Sequence, residues 1–183
     1  MAARISATMR DAAYGASADL AAERGAFPLF NADLYLSGRA GSAGSDGGSR
    51  PVGAFASRLP QPLKDKIRAQ GLRNSHLLSI APTGTISLAF ADNASNGIEP
   101  AFSWSYTRKK READNTFKHY AVEDHAWRLY HHLKGADAPL TDAFVTALEM
   151  SAEAHAAMVA AVAPYIDTSI SKTVNVPADY PYE

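Results

Sequence analysis

Ala81-Pro82-Thr83-Gly84-Thr85-Ile86-Ser87 follows directly on the apolar run Leu77-Leu78-Ser79-Ile80. The apolar run predicts a strand over about residues 74–80, and the proline, glycine and hydroxyl residues after it predict a loop. Glycine lets a backbone approach a ligand closely, and the N–H and hydroxyl groups of such a loop can bind an anion. Two interpretations stay open, a phosphate-binding loop and an ordinary strand-to-helix turn, because the spaced Gly and Lys of a Walker loop are missing.

Composition limits the possible functions. The chain has 183 residues, enough for one domain, and its 18 Lys and Arg against 19 Asp and Glu give a net charge of −1. This balance favours neither a nucleic-acid nor a membrane surface. The sequence has no cysteine, which excludes disulfides and thiolate metal sites. No apolar run reaches the roughly 18 residues of a membrane span, so we expect a cytoplasmic protein.

Hydrophobic spacing predicts four helices, ended in turn by Gly25, Gly71, Gly135 and Pro164. We expect them at residues 5–24, 63–70, about 115–133 and about 140–163. On the first helix the predicted buried face carries Ile5, Met9, Ala12, Ala16 and Leu20.

Alternating or apolar runs predict further strands at residues 101–107 and 168–176, and an extended apolar segment at 27–30. Residues 87–91 fit either a short helix or a second extended piece. The Gly/Ser-rich stretch 38–53 predicts a flexible loop. The order of strands and helices favours an α/β architecture with crossover connections.

Few other residues suggest chemistry. Glu99 lies among the turn-forming residues 93–100, where a carboxylate is either functional or solvated. Lys172 could meet a phosphate or remain a peripheral charge, and the basic run 108–111 could steer a polyphosphate or be a solvated strand end. The histidines lack the spacing that aligns two metal ligands on a helix, so we expect no metal site. We expect His155 to be a core residue with its hydrogen bonds satisfied.

Taken together, five stretches resemble the C-terminal part of the catalytic barrel of ribonucleotide reductases, with the adenosylcobalamin-dependent class II enzymes most similar. They are Ala13–Pro28, Gly71–Ser87, Asn96–Phe102, Tyr106–Lys110 and Ile166–Pro177, and they run through almost the whole chain in family order. Gly84 and the stretch Ser169-Ile170-Ser171-Lys172-Thr173 favour class II over class I, where alanine stands in place of that glycine.

The resemblance implies part of a ten-stranded α/β barrel that covers residues 1–183. It implies that Pro82, Thr83, Gly84, Thr85, Ile86 and Ser87 hold the phosphates of a ribonucleotide substrate. Adenosylcobalamin and a dithiol reductant such as thioredoxin are implied for the whole enzyme, with the cofactor held mainly by the remainder of the reductase chain.

The chain departs from the family in its lack of cysteine. The family reaction needs a thiyl radical and a reducing cysteine pair. We therefore expect a fragment: a truncated gene, a split subunit or an incomplete sequence. Two alternatives stay open. One is a non-catalytic remnant or interaction module without nucleotide binding, and the other is an unrelated α/β phosphate-binding protein.

Overall fold

A computed structural model describes residues 1–37, 55–90, 92–93, 96–176 and 178–180. The chain divides into two compact units. One unit comprises residues 1–79 and 160–170, and the other comprises residues 80–159 and 171–183. The predicted loop at 38–53 lies outside the described residues.

The first unit is helical. Its elements are α1 (Ala2–Arg24), α2 (Ala32–Ser37), a short 3₁₀ helix (Ala56–Arg58), α3 (Gln61–Gln70) and a second 3₁₀ helix (Ala163–Tyr165). The predicted ends of α1 and α3 are confirmed: Gly25 and Gly71 have φ of 80° and 84°, and their N–H groups donate to Ala21 and Ile67. These glycines suit positive φ because they carry no Cβ.

The predicted buried face of α1 is wrong. Ile5 and Met9 are 53% and 54% exposed, whereas the buried residues are mostly small: Ser6, Tyr14, Ser17, Ala18 and Ala21. Small side chains let neighbouring backbone approach closely. Ser17 illustrates this, because its hydroxyl accepts from the Asn74 N–H at 3.0 Å and its carbonyl accepts from the Arg73 N–H. Polar contacts therefore select this face.

A compact apolar core holds the first unit together. Its buried members are Tyr14, Ala18, Leu36, Ala56, Leu59, Ile67 and Leu72. The predicted extended segment at residues 27–30 is instead a turn, in which the Phe30 N–H donates to the Phe27 carbonyl at 2.9 Å. The turn brings the Phe27, Phe30 and Tyr35 rings within 5.4–6.1 Å of one another.

The predicted strands at 74–80 and 168–176 are wrong for this structure, which has only isolated bridges at Ile80 and Ile170. A carboxylate takes the place of a strand neighbour. Asp167 accepts hydrogen bonds from the Leu77 and Leu78 N–H groups and from the Tyr14 hydroxyl, each at 2.8 Å. Burial raises the pKa of Tyr14, so its hydroxyl stays protonated and donates.

The second unit contains α4 (Gly84–Phe90), β1 (Ser105–Arg111), β2 (Phe117–Glu123), α5 (His125–Lys134) and most of α6 (Ala152–Val162). β1 and β2 form an antiparallel hairpin in which Ser105 pairs with Glu123 and Arg111 with Phe117. This pair is the sheet that the described residues form. The structure therefore supports a mixture of helix and strand. The parallel crossover expected of an α/β architecture is not formed by the described residues.

The hairpin corrects two predictions. β1 begins at Ser105 rather than 101, and the predicted helix at 115–133 is strand up to Glu123. The turn explains this, because Asn115 adopts φ of 65° and the Asp114 carboxylate accepts from the Thr116 N–H and hydroxyl. Asp and Asn stabilise such turns through their short polar side chains. Helix α5 starts only at His125, where the Asp124 carboxylate accepts from the Ala126 N–H.

The last predicted helix is also shorter than expected. α6 starts at Ala152 rather than near residue 140, and the Ser151 hydroxyl accepts from the Ala154 N–H at its N-terminus. Before it, the Thr146 N–H and hydroxyl donate to Glu149 within a turn. The predicted ends of α5 and α6 are confirmed, at Gly135 and just before Pro164. The rings of Trp104, Tyr130 and Phe144 pack at 5.0–5.1 Å in this unit.

We predict that Asp167→Asn lowers the free energy of unfolding by roughly 1–3 kcal/mol, because an amide offers one acceptor oxygen to three donors. The matched control is Asp19→Asn, whose carboxylate is 60% exposed and pairs with Lys66. The control should change stability by about 0.5 kcal/mol or less. Urea denaturation measures both, and equal effects would contradict the role given to Asp167.

Candidate functional site

The loop at residues 82–87 leads into α4, which begins at Gly84. This settles the open alternative for residues 87–90 in favour of a helix. Thr85 and Ile86 are exposed, and Thr83 and Gly84 are half-buried. Thr83 has φ of 55°, a left-handed conformation that β-branched residues rarely adopt. The loop therefore presents the Thr85 side chain to solvent from a constrained backbone.

Ser87 differs from the other residues of the loop. It is 1% exposed, its N–H donates to the Thr83 carbonyl at 2.8 Å, and its carbonyl accepts from the Asn93 N–H at 3.0 Å. These bonds close the first turn of α4 and tie its end to Asn93. In this structure Ser87 serves the fold of the loop, and the exposed donor side chain is that of Thr85.

A cavity of about 470 Å³ lies beside the loop, within the second unit. Pro82 and Gly84 line it on the loop side, and Phe102 and Tyr106 contribute aromatic rings. Its polar side chains come from Asn93, Asn96, Glu99, Ser103, Asp124, Thr173 and Asn175. Ligand sites of small molecules have this size and this mixture of apolar walls with a few polar groups.

Glu99 and Lys172, separate candidates in the sequence, are partners in the structure. The Lys172 ammonium lies 2.5 Å from one carboxylate oxygen of Glu99, and the other oxygen accepts from the Thr173 N–H at 2.5 Å. Both side chains are largely buried, with 16% and 7% exposed for Glu99 and Lys172. Burial alone would raise the pKa of Glu99, but Lys172 and the Thr173 N–H outweigh it and hold the pKa below its usual value.

His155 is buried as expected, with 0% exposed, but its hydrogen bonding is incomplete. Its Nε2 lies 3.4 Å from the Ala147 carbonyl oxygen, whereas its Nδ1 has no hydrogen-bond partner among the described residues. The ring lines a second cavity, of about 300 Å³, together with Met150, Met158, Glu99 and Lys172.

The other charged candidates lie elsewhere. Arg108 to Arg111 form the C-terminal end of β1 up to its last residue, and all are exposed, as expected of a solvated strand end. Of that strand, Tyr106 lines the 470 Å³ cavity and the basic run does not. Within the described ranges, no three His, Cys, Asp or Glu side chains are grouped as metal ligands would be. No helix among the described residues has the length and apolar character that crossing a membrane requires.

Sequence reasoning missed the amides of the cavity and the anchoring role of Asp167. Asn96 and Asn175 line the cavity although they lie 79 positions apart, from 96 to 175. Both residues lie in stretches that carry the family resemblance, and that resemblance is the signal that could have pointed to them. Nothing local marks them as neighbours, since Asn96 reads as a turn former and Asn175 as part of an alternating run.

A family model described as "Ribonucleotide reductase, barrel domain" matches residues 1–183. The chain is 32% identical over 194 aligned positions to the "Vitamin B12-dependent ribonucleoside-diphosphate reductase" of Mycobacterium tuberculosis strain H37Rv, covering 97% of this chain and 23% of that protein. It is 30% identical over 172 positions to "Ribonucleoside-diphosphate reductase 1 subunit alpha" of Salmonella typhimurium, covering 87% of this chain and 19% of that protein. The chain thus spans about a quarter or less of these relatives.

We predict that the Glu99 pair stabilises the fold above about pH 4.5, the ordinary pKa of Glu, and that acid removes the effect. The sign follows because the folded pKa is the lower one, so the unfolded chain binds the proton first as the pH falls. Urea denaturation of the wild type and Glu99→Gln at a series of pH values measures it. The stability difference should shrink toward acid; a difference independent of pH would contradict the prediction.

Proposed function

Because the chain belongs to the ribonucleotide reductase barrel-domain family, we propose that it is part of an enzyme that converts ribonucleotides to 2′-deoxyribonucleotides. In this proposal, residues 82–87 bind the substrate's phosphates. The family resemblance of Pro82 to Ser87 suggests the role, and the cavity beside Pro82 and Gly84 is the observation that carries it.

The chemistry of the loop supports phosphate binding. The exposed Thr85 hydroxyl is a donor, and a Cβ built on Gly84 would meet nothing within 4 Å. A phosphate oxygen can therefore approach the backbone at this position. Hydrogen bonds to a charged phosphate are about twice as strong as neutral ones, so a single hydroxyl contributes measurably to affinity.

The cavity supports a nucleotide rather than inorganic phosphate alone. It extends from Pro82 and Gly84 to Phe102, whose ring is 66% exposed, and to the amides of Asn96 and Asn175. Its volume of about 470 Å³ leaves room for the sugar and base beyond the phosphates. We assign the loop end to phosphate and the remainder of the cavity to the nucleoside.

We also propose that the extended segments at 74–80 and 168–176 are barrel strands in the whole enzyme. Two backbone hydrogen bonds, of the kind that join neighbouring strands, support this proposal. The Thr168 N–H donates to Leu78 at 3.2 Å within the first unit, and the Ser171 N–H donates to Ile80 at 2.8 Å within the second. A strand ladder needs a run of such bonds, and we propose that further strands for it come from the remainder of the reductase chain.

Similarity to a vitamin B12-dependent relative supports adenosylcobalamin as the cofactor of the whole enzyme. The described residues do not fit it, because a corrinoid ring with its nucleotide tail is much larger than the 470 Å³ cavity. We assign the cofactor to other parts of the enzyme. The sequence also has no cysteine, so the thiyl radical and the dithiol that thioredoxin would reduce must come from residues outside it.

The same absence of cysteine favours a second candidate, a non-catalytic remnant or interaction module. Reconstitution separates the two. Co-expression with the parts of a vitamin B12-dependent relative that lie outside the matched region should restore ribonucleotide reduction if this chain is a working barrel segment. Soluble assembly without reduction would favour the remnant.

We predict that Thr85→Ala in the assembled reductase raises KM for a ribonucleoside diphosphate roughly ten- to a hundredfold. The reason is the loss of one hydrogen bond to a charged group, worth about 1.5–3 kcal/mol. Steady-state kinetics measures it.

The matched control is Thr8→Ala on α1, an exposed threonine whose hydroxyl donates to the Arg4 carbonyl. Its KM should equal that of the wild type. An unchanged KM in Thr85→Ala would refute the phosphate assignment. Ser87→Ala does not serve as the test, because Ser87 is buried and its loss would alter the loop itself.

A further inference from the structure

Gly97 packs directly against the backbone that enters the phosphate-binding loop. It has φ of 69°, and a Cβ built on it would lie 2.4 Å from the Ala81 carbonyl oxygen. No side chain fits at that distance, and the Ala81 carbonyl is backbone that cannot simply move aside. The turn that contains Gly97 and ends at Glu99 is therefore in contact with the residue before Pro82.

The segment 171–173 is hydrogen-bonded both to Ile80, just before the loop, and to Glu99, in the turn that contains Gly97. The Ser171 N–H donates to the Ile80 carbonyl at 2.8 Å. Two residues later the Thr173 N–H donates to Glu99, and the Lys172 ammonium donates both to Glu99 and to the Thr173 carbonyl. Residues 80–81, the turn at 97–99 and the segment 171–173 are thus joined immediately before the loop.

The contacts of Lys172 argue against direct contact with phosphate. Lys172 lines the separate 300 Å³ cavity with His155 and Met158. Its charge is also matched by Glu99 at 2.5 Å. Removing one member of such a largely buried pair leaves the other unpaired, which costs more than removing both.

We infer that Glu99 and Lys172 are positioning residues for the phosphate-binding loop, and that Lys172 is not a ligand of the phosphates. The inference rests on the proposed function. The pair fixes the segment 171–173 to the turn at 97–99, and Gly97 transmits that position to Ala81 and hence to Pro82 and Gly84.

A double-mutant cycle tests this in a full-length reductase that carries this sequence as its barrel segment. The variants are Glu99→Gln, Lys172→Met and the two combined, and the readout is the Kd for CDP, measured well below the unfolding temperature. Glu99→Gln and Lys172→Met should each weaken binding about tenfold, and the combined variant should bind about as weakly as either single variant, because all three lose the same pair. A role in stability alone would lower the melting temperature and leave Kd unchanged.

Direct contact between Lys172 and phosphate gives a different pattern. Glu99→Gln would then leave affinity unchanged or improve it, because it frees the ammonium, and the combined variant would bind as weakly as Lys172→Met. Either that pattern or unchanged Kd values throughout would overturn the inference.

Gly97→Ala gives a second test, with Gly15→Ala as the matched control. A Cβ on Gly15 meets nothing within 4 Å, so the control should keep the Kd for CDP. Gly97→Ala should weaken CDP binding at least about tenfold, and an unchanged Kd would overturn the role of Gly97. If Gly97→Ala does not fold, the double-mutant cycle decides.

Failure of the two proposals can be told apart. If Thr85→Ala leaves KM unchanged, the phosphate assignment fails whatever the cycle shows. If Thr85→Ala raises KM but Glu99→Gln leaves the Kd for CDP unchanged or improves it, the loop binds phosphate and the positioning inference alone is wrong.

Discussion

Extended backbone must find partners for its N–H groups, and in this chain two carboxylates supply them. Asp167 accepts from the N–H groups of Leu77 and Leu78 in the first unit, and Glu99 accepts from Thr173 in the second. The N–H groups of Leu77 and Leu78 are partly buried, and because leaving such a group without a partner costs free energy, a segment outside a strand ladder benefits from such an acceptor. The segments on which the proposed site depends are anchored in this way.

The two carboxylates differ in what balances their charge. Within the part of the chain that the structure describes, the donors to Asp167 are neutral: two backbone N–H groups and the Tyr14 hydroxyl. Glu99 faces the Lys172 ammonium, which holds its pKa low and keeps it ionised. The ion pair therefore restricts the conformation of the turn at 97–99, because the Glu99 carboxylate must accept from the Lys172 ammonium and the Thr173 N–H at the same time. Together with the contact between Gly97 and Ala81, this leaves the loop entrance little freedom.

Family membership and chain length together explain several features of the first unit. Ile5 and Met9 present apolar side chains to solvent on α1, opposite the small buried residues. The chain covers 23% of the length of the Mycobacterium relative. Among the described residues, the predicted strands at 74–80 and 168–176 form isolated bridges and single backbone hydrogen bonds rather than a ladder, although their sequence patterns indicated strands. Alternation of apolar and polar residues indicates that a segment suits a strand. Whether a strand forms depends on neighbouring strands that the pattern does not specify.

The sequence by itself determined the local features: the helix ends at Gly25, Gly71 and Gly135, the loop after Ile80, and the family through its ordered motifs. Such features depend on backbone preferences and contacts within about four residues. Tertiary structure decided that residues 117–123 form a strand, that polar contacts choose the buried face of α1, and that Glu99 pairs with Lys172. Glu99 and Lys172 are 73 positions apart. No local pattern encodes such a partner, because the pairing exists only once the chain between them has packed.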